Sequence, residues 1–176
     1  MDIAPARSSK GWQRSRVAMP RASVMAVSAV LVSPSRLRCW AWPLAARAAH
    51  DLDDTTAIGE LLALLDSYQP GHLAPMLRAE RHLARARLAD HHGDPDAAAS
   101  FTAAIAGVRE HGTPYHLAHG LLDHAQHLSR LGDTEAAETA ITEARGIATR
   151  LRCQPLLDRA GAISAEPGLV RLAPSQ

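Results

Sequence analysis

One spacing constrains this chain more than any other property. Displaced by 39 residues, the sequence falls on itself: Ile58 on Ala97 and Ala136, Leu62 on Phe101 and Ala140, Pro75 on Pro114, Ala79 on Ala118. Leu83 falls on Leu122, Ala86 on Ala125, Gly93-Asp94 on Gly132-Asp133, and Val108 on Ile147. The matches run through the whole unit, apolar on apolar and turn on turn. A chain with such a period builds units that cannot each bury an apolar face alone and must stack to make a core.

Within a unit the pattern reads helix, tight turn, helix. Pro75 and Pro114 stand at helix starts, where the missing N–H costs nothing and the fixed φ helps, and Pro155 marks a third start. Thr113 is placed to cap its helix. Gly93 and Gly132 close the first helix of each pair, and Asp94 and Asp133 are placed to cap the second. Helices are predicted over 56–67, 74–91, 95–110, 114–131, 134–151 and 155–163. Their apolar positions recur at helical spacing: Phe101, Ala104, Ile105 and Val108, then Leu117, Leu121, Leu122, Ala125 and Leu128, then Ala137, Ala140, Ile141, Ala144 and Ile147. The composition agrees, with 35 Ala, 22 Leu and 18 Arg, residues that lose little freedom in a helix. With aromatic residues at 3%, the composition argues against a β-sandwich or barrel. Alanine-rich faces let helix axes approach closely while each residue buries little area, so stability must come from stacked neighbours.

Charge divides the chain near His50. Residues 1–50 hold eight Lys or Arg and one acid, net +7, whereas residues 51–176 hold 11 Arg and 17 acids, net −6. All three tryptophans, Trp12, Trp40 and Trp42, lie in the first part. Residues 1–50 show no sustained period and read as a basic, mostly disordered leader, one form of which is a non-native extension from a mis-assigned start codon. Val24–Val32 is about half the length a membrane span needs. It could serve as the apolar region of a signal peptide cleaved near Ala46 or Ala48, although Pro34, Arg36 and Arg38 interrupt that path. A nucleic-acid arm, with Arg14, Arg16 and Arg21 on phosphates and Trp12 stacked on a base, is a third reading. Cys39 and Cys153 sit in no Cys-x-x-Cys or metal-ligand spacing, which suits a reducing cytoplasm. Residues 51–163 form the repeat domain, and 164–176 a flexible tail.

The Gly-Asp turn followed by Ala137, Ile141 and Ala144, five, nine and twelve residues after Gly132, resembles the second half of a tetratricopeptide-type repeat. The first helix departs from that motif, lacking its Trp and Leu-Gly positions, and a period of 39 instead of 34 implies longer helices. The stretch 112–160, GTPYHLAHGLLDHAQHLSRLGDTEAAETAITEARGIATRLRCQPLLDRA, resembles the C-terminal helical-repeat tails of actinobacterial regulators that pair an AAA/STAND ATPase with such repeats, both cyclase-like and LuxR-type. The resemblance implies an all-α, right-handed superhelix of about two and a half units, with the first helices of each pair lining a concave groove. It carries no catalytic residue. No Gly-x-x-x-x-Gly-Lys-[Ser/Thr] loop is present, so no nucleotide site comes with it, and neither a cyclase nor a DNA-binding domain is expected in this chain.

The densest group of chemically able side chains is on the helix over 114–131. At 100° per residue, His116, His119, Asp123 and His127 share an arc of about 80°, away from Leu117, Leu121 and Leu128. Two imidazoles and a carboxylate could hold Zn²⁺ or Ni²⁺, but the outer two lie eight residues, roughly 12 Å, apart along the axis and cannot converge. A solvated polar face is the simpler reading, and a partner contact the next. Arg78, Arg81, Arg85 and Arg87 run along the preceding helix with Glu80, as a solvated face or a site for phosphate or an acidic peptide. His91-His92 suits a helix C-terminus. Ser100 and Ser129 have no nucleophile setting, and no His-Glu-x-x-His is present, so no enzyme is indicated. The expected function is a non-catalytic protein–protein interaction module, regulatory or a piece of a larger regulator, without cofactor, nucleic acid or membrane. His82, Arg85, His116, His119, Asp123 and His127 are its candidate groove or rim contacts. The alternatives are a remnant without independent function and a small metal-responsive binder using the histidine stripe.

Overall fold

A computed structural model describes residues 35–69 and 71–165, with side chains from residue 41 onward. Among the described residues the chain is all-helical: α1 Ser35–Asp51, α2 Thr55–Asp66, α3 Pro75–His91, α4 Ala97–His111, α5 Pro114–Leu131, α6 Thr134–Leu151 and α7 Gln154–Ala165. Each of the six helices predicted from the repeat starts and ends within about two residues of its expected place, the usual uncertainty of a helix boundary.

The repeat positions are the core. Ala79 and Ala118, Leu83 and Leu122, and Ala86 and Ala125 are all buried, as are Phe101 and Ala140, and Val108 and Ile147. Each helix packs on its successor, and a second set of contacts joins α1 to α3, α3 to α5 and α5 to α7. The odd-numbered helices therefore form one continuous layer, with the even-numbered helices packed against it. Gly120 permits the α3–α5 approach: a Cβ there would stand 3.3 Å from Leu83 Cδ2, closer than ordinary packing.

The helix ends follow local chemistry. Thr113 Oγ1 accepts from His116 N, and Asp133 Oδ1 accepts from Ala136 N at 3.1 Å, capping α5 and α6 as expected. Gly132 takes φ 83° at the end of α5, and Asp133 N donates back to Leu128 O, a glycine C-cap. Asp94 differs from expectation. The residue at the α4 N-cap is Asp96, and Asp94 Oδ1 instead accepts from Asp96 N at 2.9 Å, forming a local turn. At the end of α6 the left-handed position is held by Arg152, φ 51°, exposed to solvent. A Cβ makes that conformation costly, so Arg152→Gly should raise stability by roughly 0.5–1 kcal/mol. Urea unfolding checks this, and a lower midpoint would contradict it.

The largest departure is at the first helix. Residues 35–50 are not part of an irregular leader: α1 extends up to the charge boundary at His50, ends at Asp51 and packs on α2 and α3. Trp42 is 0% exposed, and its indole Nε1 donates to Leu61 O at 2.9 Å. Trp42, Ala46 and Ala49 join Ile58, Leu61, Leu65, Leu73 and Leu77 in one apolar cluster. Ala46 and Ala48, the expected cleavage positions, lie within this helix. Val24–Val32, Trp12, Arg14, Arg16 and Arg21 lie outside the described residues, as do 166–176 of the expected tail. Among the described residues no helix is long and apolar enough to cross a membrane.

Candidate functional site

The layer of odd helices encloses the arrangement with most chemical content. Asp123, in the middle of α5, has a side chain only 2% exposed. Three arginines from three other helices converge on it. Arg47 of α1 donates from Nη1 to Oδ2 at 2.8 Å and from Nη2 to Oδ1 at 3.2 Å. Arg87 of α3 reaches Oδ2 from Nε at 2.7 Å and from Nη2 at 2.6 Å. Arg159 of α7 donates from Nη2 to Oδ1 at 2.5 Å. One carboxylate, with about four lone-pair sites, thus serves three guanidiniums that carry five donors each.

Electrostatics follow from that crowding. Burial alone would push the Asp123 carboxyl up, but Arg87, Arg47 and Arg159 together outweigh it and hold it well below the usual carboxylate range. Burial lowers Arg47 to about 10, with Asp123 opposing. His119, one turn before Asp123, is lowered to about 3, first by burial and then by Arg47. Its Nδ1 accepts from Arg47 Nη2 at 2.6 Å, which fixes a neutral ring carrying its proton on Nε2. On the other side, burial pushes the Glu80 carboxyl up, with Arg87 and Arg47 opposing, and among the described residues its Oε1 is buried without a hydrogen-bond partner.

The cluster lies in the wall of an open cavity of about 930 Å³. Arg47, His50, Arg87, His119, Asp123 and Arg159 are among its lining residues, with Phe101, Ala162 and Ile163 as the apolar ones. Its lining comes almost entirely from α1, α3, α5 and α7. Arg130 and Asp90 form a further ion pair at its edge, where Asp90 also accepts from His127 Nδ1 at 2.7 Å.

The structure scatters the six expected contact residues. His119 and Asp123 line the cavity, and His116 lies beside it in a small adjoining pocket with Glu80 and Tyr115. His127 is buried against Asp90 and against Phe101, whose ring stacks on His124 at 5.5 Å. His116, Asp123 and His127 are buried, so the stripe on this helix is not a solvated face. Arg85 points elsewhere: with Arg81 it pairs with Asp66 of α2. His82 is exposed on the same helix. The arginine run on α3 accordingly divides, two members tying α2 to α3 and Arg87 entering the buried cluster.

Sequence reasoning missed Arg47 and Arg159. Arg47 was assigned to the leader, and Arg159 sits on a short final helix with no pattern around it. One signal was present: Asp123 is a lone acid among apolar and histidine neighbours on α5, and a carboxylate buried there requires cations from elsewhere. Metal binding by the stripe meets a simple obstacle. Asp123 is taken up by three arginines and His119 Nδ1 by Arg47, and among the described residues no three His, Cys, Asp or Glu side chains are grouped to hold a metal ion.

The buried imidazole gives a pH signature. His119 titrates near 6.5 when unfolded and near 3 when folded, so the unfolded chain binds the extra proton between those values and stability falls as pH drops through that window. His119→Gln keeps an acceptor for Arg47 and removes the titration. Its stability should decline less steeply from pH 6.5 to 4, by up to about 1.4 kcal/mol per pH unit. Urea midpoints taken across that range check it, and parallel curves for the two proteins would contradict it.

Compared with models of protein families, with curated proteins and with solved structures, the chain matches none of them.

Proposed function

We infer that this chain is a non-catalytic recognition module of tetratricopeptide type, in which the odd helices form the concave face of a right-handed superhelix and hold a segment of a protein partner. The observation that carries this reading is the layer itself. Helices α1, α3, α5 and α7 pack in succession and leave along that layer an open, polar cavity of about 930 Å³. The first helices of stacked pairs line the binding groove in a solenoid of this kind. On the resemblance of residues 112–160, the partner is regulatory, or another domain of a longer signalling or transcriptional regulator. The module works in the cytoplasm, where Cys153 stays a free thiol.

A photo-crosslinking side chain tests the face directly. Placed at Gln126, exposed at the cavity, it should capture a defined partner in the producing cells. Placed at Thr142, exposed on α6, it should not. Equal capture at both positions, or none at Gln126, would overturn the reading of this face as the partner site.

A further inference from the structure

Within the cavity, charge is arranged in two zones. Around Asp123, three guanidiniums share one buried carboxylate, a local excess of positive charge. Among the described residues, Nη1 of Arg159 is buried and has no hydrogen-bond partner. Guanidiniums with unused donors are suited to a planar or tetrahedral oxyanion, which accepts two parallel hydrogen bonds from such a fork. The remaining acids of the lining are placed differently. Asp90 is taken by Arg130 and His127, whereas Asp51, Asp53 and Asp158 are exposed and so stand at the mouth. Asp51 is 56% exposed, 3.7 Å from Arg47 Nε, and Asp158 is next in sequence to Arg159.

A basic floor beneath an acidic mouth selects against two simple classes of ligand. A polyanion would be repelled by three carboxylates on entry, and a plain cation would meet the arginines. A molecule carrying one group of each sign satisfies both zones. The volume, about 930 Å³, is at the upper end of the range for small-molecule sites, and the mainly polar lining favours a polar occupant. We propose that this cavity binds a small amphoteric molecule, its oxyanion on Arg47 and Arg159 and its cationic group at the mouth among Asp51, Asp53 and Asp158. This goes beyond a partner seated on the odd helices, and it stands whether or not such a partner docks there.

The test uses the full chain with defined probes: 4-aminobutanoate and 6-aminohexanoate as amphoteric ligands, hexanoate as the anion alone, and inorganic phosphate as the compact polyanion. Binding is read from the ¹H–¹⁵N signals of the arginine Nε–Hε groups. At least one amino acid should shift the Arg47 and Arg159 signals saturably, and hexanoate and phosphate should bind several-fold more weakly. Arg159→Gln should weaken the amino acid about ten-fold, a loss of the size expected for one charge-assisted contact. The double variant Asp51→Asn, Asp158→Asn, which leaves the floor intact, should weaken the amino acid and leave hexanoate unchanged or improved. Saturable binding of neither amino acid would overturn the proposal. Equal or tighter binding of hexanoate or phosphate would overturn the amphoteric class, and unchanged affinity in Arg159→Gln would overturn the placement. Loss of cross-linking at Gln126 with these shifts intact would remove the protein-partner reading and leave the small-molecule site standing.

Discussion

Asp123→Ala should lower the folding stability by about 3–5 kcal/mol, because removing one partner of a buried ion pair strands the others without a counter-charge. Here three guanidiniums are stranded at once, from α1, α3 and α7. Asp123→Asn, which keeps the shape and loses the charge, should cost nearly as much. Asp66→Ala is the matching surface control: it releases Arg81 and Arg85, but Asp66 is 41% exposed, and such pairs contribute about 1 kcal/mol or less. The form of unfolding should change too. A stack of repeats has contacts only between neighbours and loses cooperativity readily, yet Asp123 joins three helices spaced along the whole layer. Its removal should broaden one urea transition into overlapping ones. Equal costs for Asp123→Ala and Asp66→Ala would show that the cluster contributes nothing to holding the layer together. Acid removes this contribution: with its carboxyl held well below the ordinary range, Asp123 contributes stability that is fully present above the unfolded value near 3.8 and is lost progressively as the pH falls below it.

Trp42→Ala should have a comparable effect through a different mechanism. The indole is fully buried and, among the described residues, is the largest of the fully buried side chains, and truncating such a residue costs about 3–5 kcal/mol from lost burial and the cavity left behind. The Leu61 carbonyl that accepts from Nε1 would also lose its side-chain donor. Because Trp42 packs with α2 and the start of α3, the damage should centre on the first helix pair. Amide exchange should accelerate in α1 and α2, while α5 and α6 stay protected by their own cluster around Leu122, Ile141 and Leu156. Uniform acceleration over all the helices would instead mean that the chain opens only as a whole. Unchanged exchange in α1 would mean that the helix is not docked.

Six of the seven helices among the described residues were legible, because the signals that define them are local and repeated. Proline starts, glycine ends and a 3.6-residue apolar spacing all recur at Pro75 and Pro114, at Gly93 and Gly132, and along α4 to α6. Helix α1 broke those rules. It carries Pro43 in its interior, where the ring removes an N–H and normally ends a helix, and among its described side chains those buried in the apolar cluster are one tryptophan and two alanines instead of a leucine stripe. The abrupt change of charge at His50 falls at the end of α1 and marks no edge of the folded part, because it reflects surface composition and not packing. The site was legible only in part. Asp123 and His119 stood out by their place on one helix face. Their burial, and the arrival of Arg47 and Arg159 from 76 and 36 residues away, depend on which helices become neighbours, and a helical wheel carries no information about that.

The coupling between Arg47 and Asp123 tests the account most directly, because it asks whether α1 belongs to the fold and whether it supplies a wall of the cavity. Urea unfolding of the parent chain, Arg47→Ala, Asp123→Asn and the double variant yields that coupling as one number. The structure predicts more than about 1.5 kcal/mol, in the range of close charged pairs. Additivity within about 0.5 kcal/mol, the behaviour of distant independent sites, would contradict it: Arg47 would then not meet Asp123, and neither the joined layer nor the basic floor of the cavity would stand.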